Sequence, residues 1–204
     1  MRIIVISPPD AEPLTVDEMR TYLRIDGTEE DATLTALIAG ARDWCESFTR
    51  RALIERTVDV VLDRFPPASK LKPRREIVLP FGRALSVTAI YYTDTAGVQQ
   101  TLTGPDASPA GTAFQQDLSD DYHGVIAPGY GLDWPETRDV MGAVRVRCTV
   151  GYGDASDIPA QLRDALRFRI ASLYEGRGEQ DVKQWAGVDE ALARPYQIDW
   201  FGAC

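Results

Sequence analysis

Few residues in this sequence could perform catalysis. The chain of 204 residues has one histidine, His123, within Asp120-Asp121-Tyr122-His123-Gly124. A serine or cysteine nucleophile would need that imidazole as its general base. Acidic and glycine neighbours are typical of a loop between strands, so a histidine in a surface turn is the favoured interpretation. We therefore expect no catalytic residue and no enzyme activity.

Metal and cofactor sites are equally weakly indicated. Asp117, Asp120 and Asp121 carry oxygen atoms that suit a hard cation, but the EF-hand pattern is missing and a solvated acidic loop is favoured. Gly129-Tyr130-Gly131 and Gly151-Tyr152-Gly153 lack the residues of a phosphate-binding loop. Their glycines are expected to allow positive φ in turns. The sequence therefore predicts neither a metal ion nor a cofactor.

The cysteines do not indicate a disulfide framework or a zinc site. Cys45, Cys148 and Cys204 are far apart, their number is odd, and there is no CxxC pair. We expect each to be a small buried hydrophobic residue, or, for Cys204, a free terminal thiol.

Composition indicates an acidic folded protein. Lys and Arg number 22 and Asp and Glu 31, which gives a formal net charge of −9. The hydrophobic and charged fractions, 44% and 26%, exclude a mostly disordered chain, a collagen and a coiled-coil rod. The apolar run at residues 3–6 is too short to span a membrane, and no signal-peptide pattern follows it. The expected compartment is the cytosol, with no membrane contact, and an acidic chain repels nucleic acid on average.

Two helices are predicted near the start of the chain. Thr15 can cap the backbone of Glu18, and Glu18 can reach back to Thr15, so a short helix should extend to about Leu23. A longer helix is predicted at 31–50, because its apolar residues recur every three or four positions. Those positions are Leu34, Leu37, Ile38, Ala41, Trp44, Cys45 and Phe48.

A further helix is predicted after the second Gly-Tyr-Gly sequence. Asp157 is the expected N-cap, Pro159 lies in the first turn, and Gly176 ends the helix. Its buried stripe contains Leu162, Ala165, Leu166, Ile170, Leu173 and Tyr174. Arg163 and Arg167 lie on the opposite face, where solvent is the favoured environment and a neighbouring protein the alternative.

The middle of the chain predicts short strands. β-branched and alternating residues favour strands at 57–62, 76–80, 86–93, 98–102, 114–118, 124–127 and 143–150. The turn Asp94-Thr95-Ala96-Gly97 predicts a hairpin. Many short strands with turns between them predict an antiparallel sheet or a small sandwich.

The expected fold class is α+β, a helical bundle with an inserted antiparallel β domain. The N-terminal helical part is placed at 1–56 and the inserted β region at 57–152. Residues 153–178 form the helix that completes the bundle, and residues 179–204 form an aromatic C-terminal tail.

Two segments are candidate binding sites. Arg64 to Arg83 is strongly basic, and Lys70, Lys72, Arg74 and Arg75 could dock on an acidic protein or contact phosphates. An ordinary solvated loop is the alternative. The tail carries aromatic and apolar residues that fold back on the core or bind a partner protein. They are Trp185, Tyr196, Ile198, Trp200 and Phe201.

Several short motifs follow one another along most of the chain, from about residue 13 to 177. In chain order they are Pro13-Leu14-Thr15-x-x-Glu18, Tyr22-Leu23-Arg24-Ile25-Asp26, Leu34-x-x-Leu37-Ile38-x-x-Ala41-Arg42, Arg51-Ala52-Leu53-Ile54, Ile77-Val78-Leu79-Pro80, Val87-x-x-Ile90-x-Tyr92-x-Asp94-x-x-Gly97, Trp134-Pro135, Val144-Arg145-Val146, Gly151-Tyr152-Gly153, Ile158-Pro159 and Leu173-Tyr174-Glu175. This order resembles that of head–tail connector (adaptor) proteins of long-tailed phages and gene transfer agents.

The resemblance implies a structural role in the virion. Proteins of this family form a ring, commonly of twelve subunits, beneath the portal protein at the head–tail junction. The ring extends the DNA channel, transiently contacts passing DNA, and receives a tail-side connector or stopper protein. Assembly would take place in the bacterial host cytoplasm. Tyr196, Trp200 and Phe201 would then anchor the tail segment to the portal or to a neighbouring subunit. The alternative is a DNA-packaging or DNA-binding accessory protein, supported by the basic stretch.

Overall fold

The chain forms two compact units in the computed structural model. The helical unit is formed by Pro9–Glu55 and Tyr152–Phe201, and the β unit by Met1–Pro8 and Arg56–Gly151. The structure describes residues 1–68, 74–103, 114–176 and 187–198. Helices and antiparallel sheets occur together, which confirms the predicted α+β class.

Four α-helices build the described part of the helical unit. Their bounds are α1 Val16–Leu23, α2 Asp31–Thr49, α3 Ala160–Glu175 and α4 Val188–Ala193. None of the helices in the described ranges is both long and apolar enough to cross a membrane.

The predicted start of α1 is confirmed by its capping geometry. The Glu18 backbone N–H donates to the Thr15 hydroxyl at 3.1 Å, and the Thr15 N–H donates to the Glu18 carboxylate at 2.9 Å. This reciprocal pair satisfies two backbone donors that a helix otherwise leaves free.

The core of the helical unit lies between α2 and α3. The stripe predicted for α2 faces this core, and Leu34, Ile38, Ala41 and Cys45 are buried. Opposite them, α3 contributes Leu162, Ala165, Leu166 and Ile170. The predicted N-cap of α3 is wrong. Pro159 occupies that position, because the Asp157 carboxylate instead accepts the Asp154 N–H at 3.1 Å in a preceding turn.

Eight strands form two antiparallel sheets in the described part of the β unit. They are β1 Arg2–Val5, β2 Arg56–Leu62, β3 Ile77–Val78, β4 Ala84–Thr93, β5 Gln99–Thr103, β6 Phe114–Asp117, β7 Val125–Pro128 and β8 Val144–Val150. One sheet has the order β1-β2-β8-β4-β5 and the other β3-β7-β6.

Strand β8 is the centre of the larger sheet. Its alternation is confirmed, since Val144, Val146, Cys148 and Val150 are buried while Arg145 is exposed. The predicted β4–β5 hairpin is also confirmed. Its turn is closed by Asp94, whose carboxylate accepts the Val98 N–H at 2.9 Å.

Candidate functional site

The predicted basic docking segment is only partly placed. Lys70 and Lys72 lie outside the described residues. Arg74 is exposed, whereas Arg75 forms an ion pair with Asp133 that offsets its charge. Both arginines line an open cleft of about 510 Å³, next to the fully exposed ring of Tyr130. The described part of this segment therefore contributes one unopposed positive charge to the cleft.

Only some of the tail residues predicted to bind a partner lie within the described residues. Trp185, Trp200 and Phe201 lie outside the described residues. The Ile198 N–H donates to the Thr49 carbonyl at 3.0 Å and its side chain is buried, while Tyr196 packs against the helical core. This segment is therefore folded onto its own unit, and partner binding through Tyr196 and Ile198 stays a prediction.

A buried arginine holds that segment in place. Arg51 is 1% exposed, and its Nε donates to the Tyr196 carbonyl oxygen at 2.5 Å. Its Nη1 lies 3.4 Å from the Tyr152 hydroxyl. A buried guanidinium requires such acceptors because desolvation without them is costly. Sequence reasoning noted Arg51 only as part of a motif and gave no sign of its burial.

An ion-pair cluster at the surface joins α1 to α3. Glu18 Oε1 lies 2.5 Å from Arg163 Nη2 and 3.8 Å from Arg167 Nη2. Desolvation raises the pKa of the Glu18 carboxyl, but the Thr15 hydrogen bond and the two guanidinium charges outweigh it, so the pKa lies below its usual value. The favoured expectation that Arg163 and Arg167 face solvent is therefore wrong, because both pair with Glu18 of α1, which is far away in sequence but adjacent in the fold.

Strand β1 is an exposed apolar edge that sequence reasoning did not find. It pairs with β2 and ends the order of the larger sheet. Ile3, Ile4 and Val5 are 37%, 46% and 51% exposed, and Met1 and Ile6 beside them are also exposed. The short apolar run at residues 3–6 was the available signal. Hydrophobic edge strands of this kind are prone to pair with or dock on another chain.

One face of the larger sheet carries a buried carboxylate beneath two arginines. Asp59 is 1% exposed and accepts Nε and Nη2 of Arg147 at 2.8 Å and 2.9 Å. Arg145 Nε lies 3.7 Å from the same carboxylate, and its side chain is 45% exposed. The Arg147 guanidinium also stacks 5.5 Å from the centre of the Tyr91 ring.

The loop around His123 carries hydrogen bonds typical of turns. The Asp117 carboxylate accepts the Ser119 hydroxyl at 2.6 Å, and Asp120 accepts the Tyr122 N–H at 2.9 Å. His123 is a partly exposed residue 4.0 Å from Asp120. Across the described ranges, no group of three or more His, Cys, Asp or Glu side chains is placed to hold a metal ion.

The two described cysteines are buried free thiols. Desolvation raises the pKa of both Cys45 and Cys148 to about 12, so neither thiol ionises near neutral pH. Cys204 lies outside the described residues. No reactive cysteine is therefore present within the described part of the chain.

Known proteins resemble this chain in both sequence and fold. Residues 13–95 match the sequence pattern of a family described as phage gp6-like head-tail connector protein. The resemblance to head–tail connectors is confirmed. The family so described is one of structural connectors and not of enzymes. No curated protein sequence matches the chain.

Solved structures of gene transfer agent (GTA) particles share the fold over the full length. One chain, from the neck of an empty GTA particle computed with C6 symmetry, has 22% identity and a TM-score of 0.75. A second, from the virion of a native GTA particle, has 23% identity and a TM-score of 0.74. A third, from the neck of a native GTA particle computed with C12 symmetry, has 23% identity and a TM-score of 0.73. Each alignment covers 100% of this chain and 99% of the other.

Proposed function

We propose that this chain is a structural protein of the head–tail junction in a phage or gene transfer agent particle. Copies form a ring beneath the portal protein, extend the DNA channel and receive a tail-side connector or stopper protein. The match of residues 13–95 to head-tail connectors carries this proposal, and the likeness in fold to GTA neck chains supports it.

The charges of this chain are compatible with a ring through which DNA passes without being bound. The helical unit carries 20 acidic and 11 basic side chains, a net charge of −9, whereas the β unit carries 11 of each. Every Lys or Arg contact to a phosphate adds affinity through counterion release. A channel wall poor in unpaired basic side chains therefore slows passing DNA little.

The C-terminal residues supply the proposed anchor to the portal or to a neighbouring copy. Tyr196 and Ile198 tie the chain to the helical unit just before Trp200 and Phe201. Because the chain is held at Tyr196 and Ile198, docking of the two aromatic side chains that follow costs less conformational entropy. Large aromatic side chains also dominate the binding energy of protein interfaces.

Deletion of the gene in the producing bacterium tests the proposed role. We expect DNA-filled heads and free tails that do not join, and joining should return when the intact chain is supplied. A Trp200→Ala/Phe201→Ala variant should fold with unchanged melting but restore joining poorly. A Met141→Ala variant is the control, since Met141 is an exposed hydrophobic residue of the other unit. Joined particles without the chain would refute the proposal.

A DNA-binding accessory role is the second candidate, and the cleft with Arg74 and Tyr130 is the observation that favours it. A salt titration of binding to duplex DNA separates the two roles. The connector role predicts no retained DNA near physiological salt. Binding there with a steep salt dependence, weakened in Arg74→Ala, would favour the accessory role.

A further inference from the structure

Strand β1 leaves backbone hydrogen-bonding groups open at the edge of the larger sheet. The Ile6 N–H donates to the Thr57 carbonyl at 2.9 Å, and bonded positions alternate along an antiparallel pair. Ile3 and Val5 therefore direct their backbone N–H and C=O groups away from β2. No other strand in the described part of the chain pairs with that edge. Such an edge is a template for a further strand.

The two faces of β1 favour different side chains in an added strand. Ile3 and Val5 lie opposite two buried valines of β2, on the apolar face of the sheet. Arg2 and Ile4 lie on the other face, where Arg2 is exposed and forms no ion pair with any described residue. Because side chains alternate along a strand, the added strand should carry an apolar residue beside Ile3 and an acidic residue beside Arg2.

A largely apolar cleft adjoins the same end of β1. It has a volume of about 300 Å³, and its lining includes Met1, Leu62, Phe65 and Ile77. Leu62 belongs to the apolar face of β2, so the cleft opens on the side of the sheet where Ile3 lies. A large aromatic side chain beside Ile3 would enter this cleft and gain about 25 cal/mol for each Å² of apolar surface removed from water.

The residues that follow Ile198 have the required alternation. In an extended conformation, Asp199 and Phe201 point to one side of the chain and Trp200 to the other. These three residues lie outside the described ranges. The bond from the Ile198 N–H to the Thr49 carbonyl fixes the point from which they extend. Residues 199–204 can reach about 20 Å from that point.

We propose that residues 199–201 of one copy pair with β1 of a neighbouring copy as an added parallel strand. The contact joins two different surfaces, so it is heterologous and closes into a ring when the rotation between copies permits. It rests on the proposed connector role, in which Trp200 and Phe201 anchor the chain to the portal or to a neighbouring copy. The match between this segment and β1 selects the neighbouring copy.

Each side chain of the added strand meets a residue of β1 that suits it. The pairs are Asp199 with Arg2, Trp200 with Ile3, and Phe201 with Ile4. The charge determines the parallel direction, because an antiparallel strand would place Asp199 beside an isoleucine. The indole of Trp200 then lies on the apolar face, next to the cleft.

Cysteine crosslinking in assembled particles tests the contact. The register brings residue 203 beside Ile6, so Cys204 lies within reach of an Ile6→Cys thiol, whereas Cys45 and Cys148 are buried. Particles from the producing bacterium are treated with a short bismaleimide, denatured and resolved by gel. We expect a ladder of dimers and higher multimers, because a heterologous contact repeats from copy to copy.

Control variants show whether the ladder depends on this pair of thiols. Ile6→Cys in a Cys204→Ser background should give no ladder, and neither should the chain without substitutions. Val98→Cys with Cys204 retained should give none either, since Val98 is exposed in the β4–β5 turn, away from β1.

Charge reversal tests the pairing of Asp199 with Arg2. In the Ile6→Cys chain, Arg2→Asp and Asp199→Arg should each remove most of the ladder. The two reversals together should restore it, because opposite charges then face each other again. Arg74→Asp is the matched control, since Arg74 is an exposed arginine elsewhere in the β unit, and it should leave the ladder unchanged.

The results that would overturn the contact differ from failure of the connector role. Chain present in the particles without a ladder, or crosslinked only within itself, contradicts the inference alone. A ladder that charge reversal leaves unchanged, or that the paired reversal fails to restore, contradicts it as well. Absence of the intact chain from the particles would refute the connector role on which the contact rests.

Discussion

The two units of this molecule differ in the charged group that each buries most deeply. The helical unit has a surplus of acidic side chains and yet buries a guanidinium, that of Arg51. The β unit has balanced charge and buries a carboxylate, that of Asp59, beneath Arg145 and Arg147. Each buried charged group fixes the packing of the segments that supply its hydrogen-bond partners. The charged side chains that stay exposed determine which surfaces attract another molecule. The comparison shows why the net charge of the chain alone predicts partners poorly.

The largest expected effect concerns the buried arginine of the helical unit. Arg51→Ala leaves the Tyr196 carbonyl without its donor and removes a large packed side chain. We expect a loss of about 3 kcal/mol in the free energy of unfolding. Urea titration followed by circular dichroism measures it. Arg50→Ala is the control, because Arg50 is exposed and should change stability by less than about 0.5 kcal/mol. Equal effects at the two positions would contradict the role of Arg51.

The matching test in the β unit removes the buried carboxylate. Asp59→Asn loses the doubly hydrogen-bonded pair with Arg147, and the partial exposure of both arginines lets water compensate in part. We expect a loss of about 2 kcal/mol, smaller than that at Arg51. The same titration applies, with the exposed Asp139→Asn as control. A larger loss at Asp59 than at Arg51 would reverse the comparison.

Substitutions at two glycines test two different backbone effects, the need for positive φ in a turn and the helix propensity of the residue. Gly97 has φ +90° in the β4–β5 turn, so Gly97→Ala should destabilise by about 1 kcal/mol. Gly40 lies within α2 with open space around it, so Gly40→Ala should stabilise by up to about 1 kcal/mol. Thermal unfolding of both variants should show shifts of opposite sign. A gain in stability at Gly97 would show that the turn does not need its positive φ.

The smallest effect is expected at the surface ion pairs of Glu18. Its folded pKa lies below the usual 4.5, so the stabilisation is complete above that value and is lost as pH falls through the lowered one. Glu18→Gln should cost about 0.5–1 kcal/mol at pH 7, where the carboxylate is charged, and much less in acid. Unfolding measured across this pH range checks the sign. A cost that grew as pH fell would contradict it.

Features set by neighbouring residues could be predicted from the sequence. The capping box at Thr15, the apolar stripe of α2 and the alternation of β8 each depend on residues a few positions apart. The features that were missed depend on distant pairings. The partners of Asp59 and Arg51 lie 88 and 145 residues away, and β1 becomes a strand only by pairing with β2. Local pattern carries no information about such partners.

Electron microscopy of purified particles tests the connector role most directly. Density for this chain is identified by labelling a tagged copy and by fitting the two units into the neck. The proposal predicts a closed ring of this chain between the portal protein and the first tail component, in every particle that has a tail. Tailed, DNA-filled particles whose neck lacks the chain would contradict it.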